Sequence, residues 1–81
     1  MEPRELKISD IYIPVKRRAT LNPQTVEALA EDILNEGQKI PIQVRIDGER
    51  LVLIEGLHRL EACRALGEET ILGVLVRARL H

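Results

Sequence analysis

Hydrophobic residues recur at helical spacing in two stretches of the chain. The first stretch covers residues 23–36, where Asn22 and Pro23 are typical of an N-cap and a first helical position, and Gly37 is typical of a helix end. The second stretch begins directly after Gly56 and ends at Gly67. The pattern therefore predicts two helices, each closed by a glycine.

Alternating and continuous hydrophobic runs predict the strands. Residues 42–46 alternate strictly between apolar and polar, and Asp47-Gly48 then gives a strong hairpin signal. The next run, residues 51–54, is entirely apolar, which is typical of a strand covered on both faces. A short strand at residues 6–8 and a last strand at residues 70–76 complete the predicted order β, α, β, β, α, β. This order predicts a small α/β (α+β) domain with a mixed sheet and two helices.

The segment between the first strand and the first helix has no clear periodicity. Ile11 and Ile13 are expected to pack against the core, and Pro14 to end the extended stretch. Residues 14–22 are then expected to form a loop, in which Lys16-Arg17-Arg18 is a local basic run. Short basic runs are usually solvated, so a function for these residues needs a second argument.

Composition fits one folded domain over residues 1–81. The chain is 44% hydrophobic and 31% charged, and these values are unlike those of disordered chains. Tyr12 is the single aromatic residue, so the core is expected to consist of Leu, Ile, Val and Ala. The formal net charge of −1 argues against tight sequence-independent DNA binding by the domain alone. A domain this small gains stability by pairing, and a homodimer is left open.

Cysteine, histidine and hydropathy patterns exclude further classes. The single cysteine, Cys63, allows neither an internal disulfide nor a cysteine-based zinc site. His58 and His81 lie too far apart in sequence to suggest a metal site, and no metal site is predicted. An apolar leader and a run of membrane-spanning length are both absent from the sequence, which favours a cytoplasmic protein without a membrane partner.

The junction Glu55-Gly56-Leu57-His58-Arg59 joins the apolar strand to the second helix. Free backbone N–H groups point out of a helix N-terminus, where the dipole is positive and phosphates bind. Gly56 allows a phosphate to approach the backbone, while Arg59 and His58 supply side-chain donors. Cations at this end of a helix are unfavourable without a nearby anion, so the junction predicts a phosphate site. A surface ion pair between Glu55 and Arg59 is the alternative interpretation.

Two boxes of residues resemble those of ParB N-terminal domains, in the same order and with similar separation. The first box comprises residues 29–33 and 37–44, and the second comprises residues 56–62 and closes at Leu66-Gly67. The resemblance covers most of the chain and implies the ParB/sulfiredoxin-like superfamily, which includes sulfiredoxins and free serine kinases. It implies a nucleotide ligand, CTP, ATP or ADP, with or without magnesium.

The resemblance also implies roles for the matched positions. The phosphate cradle would consist of Gly56, Leu57, His58 and Arg59. Gln38 would lie beside the nucleotide. An arginine of the basic loop would reach the phosphates, and both Arg18 and Arg17 are candidates.

Two departures from the family limit the chemistry that is expected. Sulfiredoxins carry a catalytic cysteine where this chain has Leu57, and Cys63 lies inside the predicted helix as a small hydrophobic residue, so sulfiredoxin chemistry is excluded. Full ParB proteins continue into helix-turn-helix and dimerisation domains, which these 81 residues lack. A ParB-type DNA clamp is therefore expected only together with a partner.

The favoured function is nucleotide binding by a ParB-like domain that acts as a switch or accessory module in DNA-related processes, with DNA or a DNA-binding protein as partner. An enzyme is the alternative: a small phosphotransferase, nucleotide hydrolase or nuclease with Glu55, Glu2 or Glu5 as base. Glu55 could instead hold magnesium through water, orient His58 or Arg18, or face solvent. A protein-interaction module without nucleotide binding is the third interpretation, and whether the chain is an enzyme stays open.

Overall fold

A five-stranded mixed sheet organises the computed structural model, which describes residues 2–77. The strands are β1 (Arg4–Lys7), β2 (Ile11–Tyr12), β3 (Ile42–Asp47), β4 (Arg50–Glu55) and β5 (Thr70–Leu75). Their order across the sheet is β1-β5-β3-β4-β2. The central strand β3 is antiparallel to β4 and parallel to β5, while β1 is antiparallel to β5 and β2 is parallel to β4. The predicted mixed sheet is confirmed.

Three helices connect these strands. They are α1 (Val15–Arg18), α2 (Pro23–Glu36) and α3 (Leu57–Ala65), and a 3-10 turn covers Ile8–Asp10. Both predicted helices are present, with Asn22 as the N-cap of α2 and Gly37 as its C-cap. The basic segment was expected to be a loop, but α1 forms one turn there. Periodicity could not reveal it because a four-residue helix without a buried residue leaves no apolar repeat.

The core consists of aliphatic side chains from the sheet and α3. Its most deeply buried large residues are Ile42, Val44, Leu53, Leu60 and Ile71. Full burial of such a side chain is worth about 1.5–3 kcal/mol. The prediction for the segment after β1 is also confirmed, since Ile11 and Ile13 are 6% and 3% exposed.

The hairpin and the apolar strand follow the sequence pattern closely. Gly48, with φ 63°, opens the turn between Asp47 and Arg50, which pair across β3 and β4. Val52 and Leu53 are buried, whereas Leu51 and Ile54 are half-buried. Both faces of β4 are therefore covered at its centre, as its continuous apolar run predicted.

Helix α2 lies outside the core and packs against α3. None of its residues is fully buried, and Val26, Leu29 and Ile33 are half-buried. Leu34 recurs at the same helical spacing as these residues, but its side chain is 72% exposed, so the apolar face is not covered there. Between residues 2 and 77, no helix combines the length and the apolar character needed to cross a bilayer. His81, the second of the two histidines, lies outside the described residues.

Candidate functional site

The N-terminus of α3 carries unused hydrogen-bond donors. Gly56 is the N-cap, and no side chain caps the helix. The first intrahelical bond runs from the Leu60 N–H to the Gly56 carbonyl oxygen, at 2.9 Å. The N–H groups of Leu57, His58 and Arg59 precede it and have no intrahelical acceptor, as at any uncapped helix start. The strand-glycine-helix junction that the sequence predicted is therefore present.

Gly56 is required at this junction for two separate reasons. Its φ of 106° and ψ of 31° lie in the left-handed region, where side chains are strained. A Cβ atom there would also lie 2.6 Å from Cγ2 of Ile42, which is 1% exposed in the core. The sequence suggested one reason for a glycine here, which is the close approach of a ligand. The structure adds the close approach of β3.

The junction opens into a cleft of about 370 Å³ between α1, α2 and α3. Its lining residues are Arg17, Thr20, Thr25, Leu29, Glu55, Gly56, Leu57, His58 and Arg59. A larger cavity of about 600 Å³ lies between the start of the chain and the end of α3, beside Ser9, Arg64 and Glu68. We assign the candidate site to the smaller cleft because it contains the uncapped helix N-terminus and two guanidinium groups.

The two candidate arginines of the basic segment differ in their position relative to the cleft. Arg17 lines the cleft and Arg18 does not. The Nη1 atom of Arg17 lies 3.7 Å from Oε1 of Glu55, across the mouth of the cleft. The expected alternative, an ion pair between Glu55 and Arg59, is replaced by this contact with α1.

His58 has a different hydrogen bond from the one that its sequence position suggested. Its Nε2 atom accepts from the Asn22 backbone N–H at 3.0 Å. An accepting Nε2 carries no proton, so Nδ1 is the donor that remains for a ligand. The Asn22 side chain in turn accepts from the N–H groups of Gln24 and Thr25, at 2.9 and 3.3 Å. His58 therefore joins the start of α3 to the start of α2.

Gln38 lies away from the cleft, although the resemblance placed it beside the nucleotide. Its side-chain amide accepts from the Leu72 N–H at 2.7 Å and donates to the Leu72 carbonyl at 2.9 Å. A further bond reaches the Ile40 carbonyl at 3.0 Å. These bonds use both ends of the amide to fasten the segment before β3 onto β5.

Arg59 and Cys63 lie on the same helix and have contrasting surroundings. Arg59 is half-buried in the cleft wall and forms no ion pair with any residue between 2 and 77. Cys63 is 2% exposed, which confirms its prediction as a buried small residue. Burial raises the pKa of the Cys63 thiol, the carboxylate of Glu68 adds to this, and the charge of Arg59 opposes it. A buried thiol with a raised pKa is a poor nucleophile.

Sequence reasoning missed the hydroxyl groups of the cleft. Thr20 and Thr25 line it, and Leu29, noted only as part of the helix face and the first box, forms part of its apolar wall. Isolated threonines carry no motif, so only the fold reveals their position. In the part of the chain that the structure describes, no cluster of three or more His, Cys, Asp or Glu side chains could hold a metal ion.

The sequence and the fold both match known proteins. The family model of the ParB N-terminal domain matches residues 2–80. The chain belongs to the ParB N-terminal domain family. The comparison with curated proteins found no significant match.

Solved structures place this ParB N-terminal domain in the ParB/sulfiredoxin-like fold. Sulfiredoxin from Arabidopsis thaliana is 27% identical with a TM-score of 0.86, and the match covers 96% of this chain and 88% of that chain. The C-terminally truncated ParB of Caulobacter crescentus, complexed with CTP-gamma-S, is 23% identical with a TM-score of 0.83, over 98% of this chain and 46% of that chain. A free serine kinase variant in complex with ADP is 15% identical with a TM-score of 0.80, over 94% and 31% of the two chains. This chain thus spans about half of that ParB protein and about a third of the kinase.

Proposed function

We propose that this ParB N-terminal-type domain binds the phosphate groups of a nucleotide in the cleft between α1 and the N-terminus of α3. One observation carries the proposal: two guanidinium groups and an uncapped helix N-terminus converge on the same cleft. Helix N-termini attract anions through free N–H groups and the helix dipole. Arg59 lies in the first turn of α3, where its positive charge is unfavourable unless an anion is close.

The start of α3 and the two arginines have separate roles in this proposal. The backbone N–H groups of residues 57–59 donate to phosphate oxygens, and Gly56 leaves room for the phosphate to approach them. Arg59 and Arg17 contact the phosphates from opposite sides of the cleft, each through its planar fork. A hydrogen bond to a charged group is worth about 1.5–3 kcal/mol, so a few such bonds suffice for measurable binding.

The relatives support a nucleotide rather than an unspecified anion. The Caulobacter crescentus ParB structure contains CTP-gamma-S, and free serine kinase structures contain ADP or AMP. These ligands share phosphate groups, and the cleft of this chain offers the N–H donors and guanidinium groups that bind phosphate. Among the described residues, Glu55 is the single carboxylate that lines the cleft, so magnesium would bind mainly to the nucleotide phosphates, as is usual for this ion.

The position of α1 supports a switch role. This turn carries Arg17 to the cleft and has no buried residue of its own, so a ligand that binds Arg17 fixes α1 in place. The ordered turn would then present exposed Lys16 and Arg18 to DNA or to a DNA-binding partner. Sedimentation with and without nucleotide would show whether pairing into a homodimer accompanies this change.

Thermal melting against CTP, ATP, ADP and AMP, each with and without magnesium, tests the proposal. A ligand at about 100 times its dissociation constant adds about 2.7 kcal/mol to the free energy of unfolding. For a domain of this size that raises the melting temperature by about 10 °C or more. Arg59→Ala should abolish the shift, whereas Arg64→Ala, on the same helix but outside the cleft, should preserve it. A shift that survives Arg59→Ala would contradict the assignment of the cleft.

The enzyme remains the second candidate because Glu55 lies in the cleft as a carboxylate base would. Release of inorganic phosphate or transfer to free serine, lost in Glu55→Gln, would establish this alternative. Nucleotide binding without turnover would leave the domain as a switch or accessory module.

A further inference from the structure

A carboxylate lies where the proposed ligand would place its own negative charge. Glu55 ends β4 directly before the cradle, and its Oε1 lies 3.7 Å from Nη1 of Arg17 on α1. Both side chains line the cleft. A phosphate that reaches Arg17 must therefore compete with Glu55 for the same guanidinium group.

The contact is suited to exchange because it is weak. The side chains of Arg17 and Glu55 are 43% and 62% exposed, and ion pairs in such surroundings contribute little. Their separation of 3.7 Å is also longer than a hydrogen bond. The surrounding water screens the pair, so a multiply charged phosphate can displace the carboxylate.

The element that carries Arg17 is held loosely as well. Helix α1 is four residues long, has no buried residue and no side-chain N-cap bond. Val15, its first residue, is 74% exposed. The turn is fastened on its C-terminal side, where the Thr20 hydroxyl donates to the Arg17 carbonyl at 2.7 Å. The Arg17 side chain can therefore change partner without loss of core packing.

We propose that Glu55 is a specificity-determining residue that occupies Arg17 before a ligand binds and is displaced by the phosphate chain. This inference rests on the proposed function. Among the described residues that line the cleft, two guanidinium groups and one carboxylate leave one formal positive charge, and Nε2 of His58 accepts a hydrogen bond from Asn22. A ligand whose phosphates stop at the α3 N-terminus leaves the ion pair intact. A ligand whose phosphate chain extends to Arg17 must break it, and Glu55 lowers the affinity for that ligand alone.

Titration of AMP, ADP and CTP into the wild-type protein and into Glu55→Gln tests this directly. If the ligand must break an exposed ion pair in order to bind, removal of the carboxylate should raise its affinity by about 1.4- to 5-fold. We expect this gain for CTP and no gain for AMP, and an equal gain for both would contradict the inference. The control Glu49→Gln removes the same charge from the exposed hairpin turn and should leave every affinity unchanged.

The double variant Arg17→Ala/Glu55→Gln separates competition for Arg17 from general repulsion of phosphate. If Glu55 acts through Arg17, removal of the carboxylate has no effect in the Arg17→Ala background. An equal gain in both backgrounds, or weaker binding by Glu55→Gln, would overturn the inference while nucleotide binding itself stands. Absence of binding by the wild-type protein and by every variant would instead refute the proposed function. The melting temperature of each variant without nucleotide verifies that it is folded.

Discussion

Substitution of Gly56 by alanine is expected to destabilise the domain strongly, because two costs add at one atom. A side chain in the left-handed region costs about 1–2 kcal/mol, and φ here is 106°. The new Cβ would also lie 2.6 Å from Cγ2 of Ile42, and such overpacking costs about 1–3 kcal/mol more. The total of about 2–5 kcal/mol is a large part of the free energy of unfolding, which is roughly 4–12 kcal/mol for a domain of this size.

The control for this prediction is Gly67→Ala. Gly67 has a φ of 79°, and a Cβ atom there would meet nothing within 4 Å, so only the backbone strain applies. Urea unfolding of the two variants and the wild type gives both free energies of unfolding. We expect Gly56→Ala to lose clearly more stability than Gly67→Ala. Equal losses would show that β3 yields to the added methyl group, and the argument for a close approach would be refuted.

Three further predictions concern side chains whose roles the structure defines. Gln38→Ala removes the acceptor of the Leu72 N–H and one donor to the Leu72 carbonyl, and it should lower the free energy of unfolding by about 1–3 kcal/mol with nucleotide affinity unchanged. A loss of affinity would instead place Gln38 at the site. His58→Ala removes the acceptor for the Asn22 N–H and should cost about 1 kcal/mol in urea unfolding, and an unchanged stability would show that this bond does not form. Burial raises the pKa of Cys63 above its ordinary value of 9.0, so the folded state holds the thiol proton more tightly than the unfolded state. Stability should therefore be complete below about pH 9 and fall above it. This fall should be smaller in Cys63→Ala, and an identical pH dependence of the two proteins would contradict the raised pKa.

The fold was largely predictable because its longer elements carry strong periodic signals. The helix over residues 23–36, the hairpin at Asp47-Gly48 and the apolar run at residues 51–54 each combine a hydrophobic pattern with a turn or cap residue. Helix α1 escaped prediction because one helical turn on the surface needs no apolar repeat. The exposure of Leu34 also escaped it, since periodicity shows which residues share a face and not how much of that face is covered.

The candidate site was predictable where it depends on local geometry. A strand, a glycine and a helix start are adjacent in sequence, so the uncapped helix N-terminus at residues 56–59 follows from the chain alone. The residues that other parts of the chain contribute to the cleft do not follow from local sequence. Whether Arg17 or Arg18 lines the cleft depends on which way one helical turn faces. The bonds of His58 to Asn22 and of Gln38 to Leu72 span 36 and 34 residues, and no local pattern records them.

The central claim, that phosphate binds at the start of α3, is tested most directly by NMR titration of the isotopically labelled protein with CTP and with ADP. Backbone amides that donate to phosphate oxygens shift strongly in such a titration. We expect the largest shifts at the amides of Leu57, His58 and Arg59, and their loss in Arg59→Ala. Largest shifts at Ser9 and Glu68, beside the larger cavity, or no shifts with either nucleotide would contradict the claim.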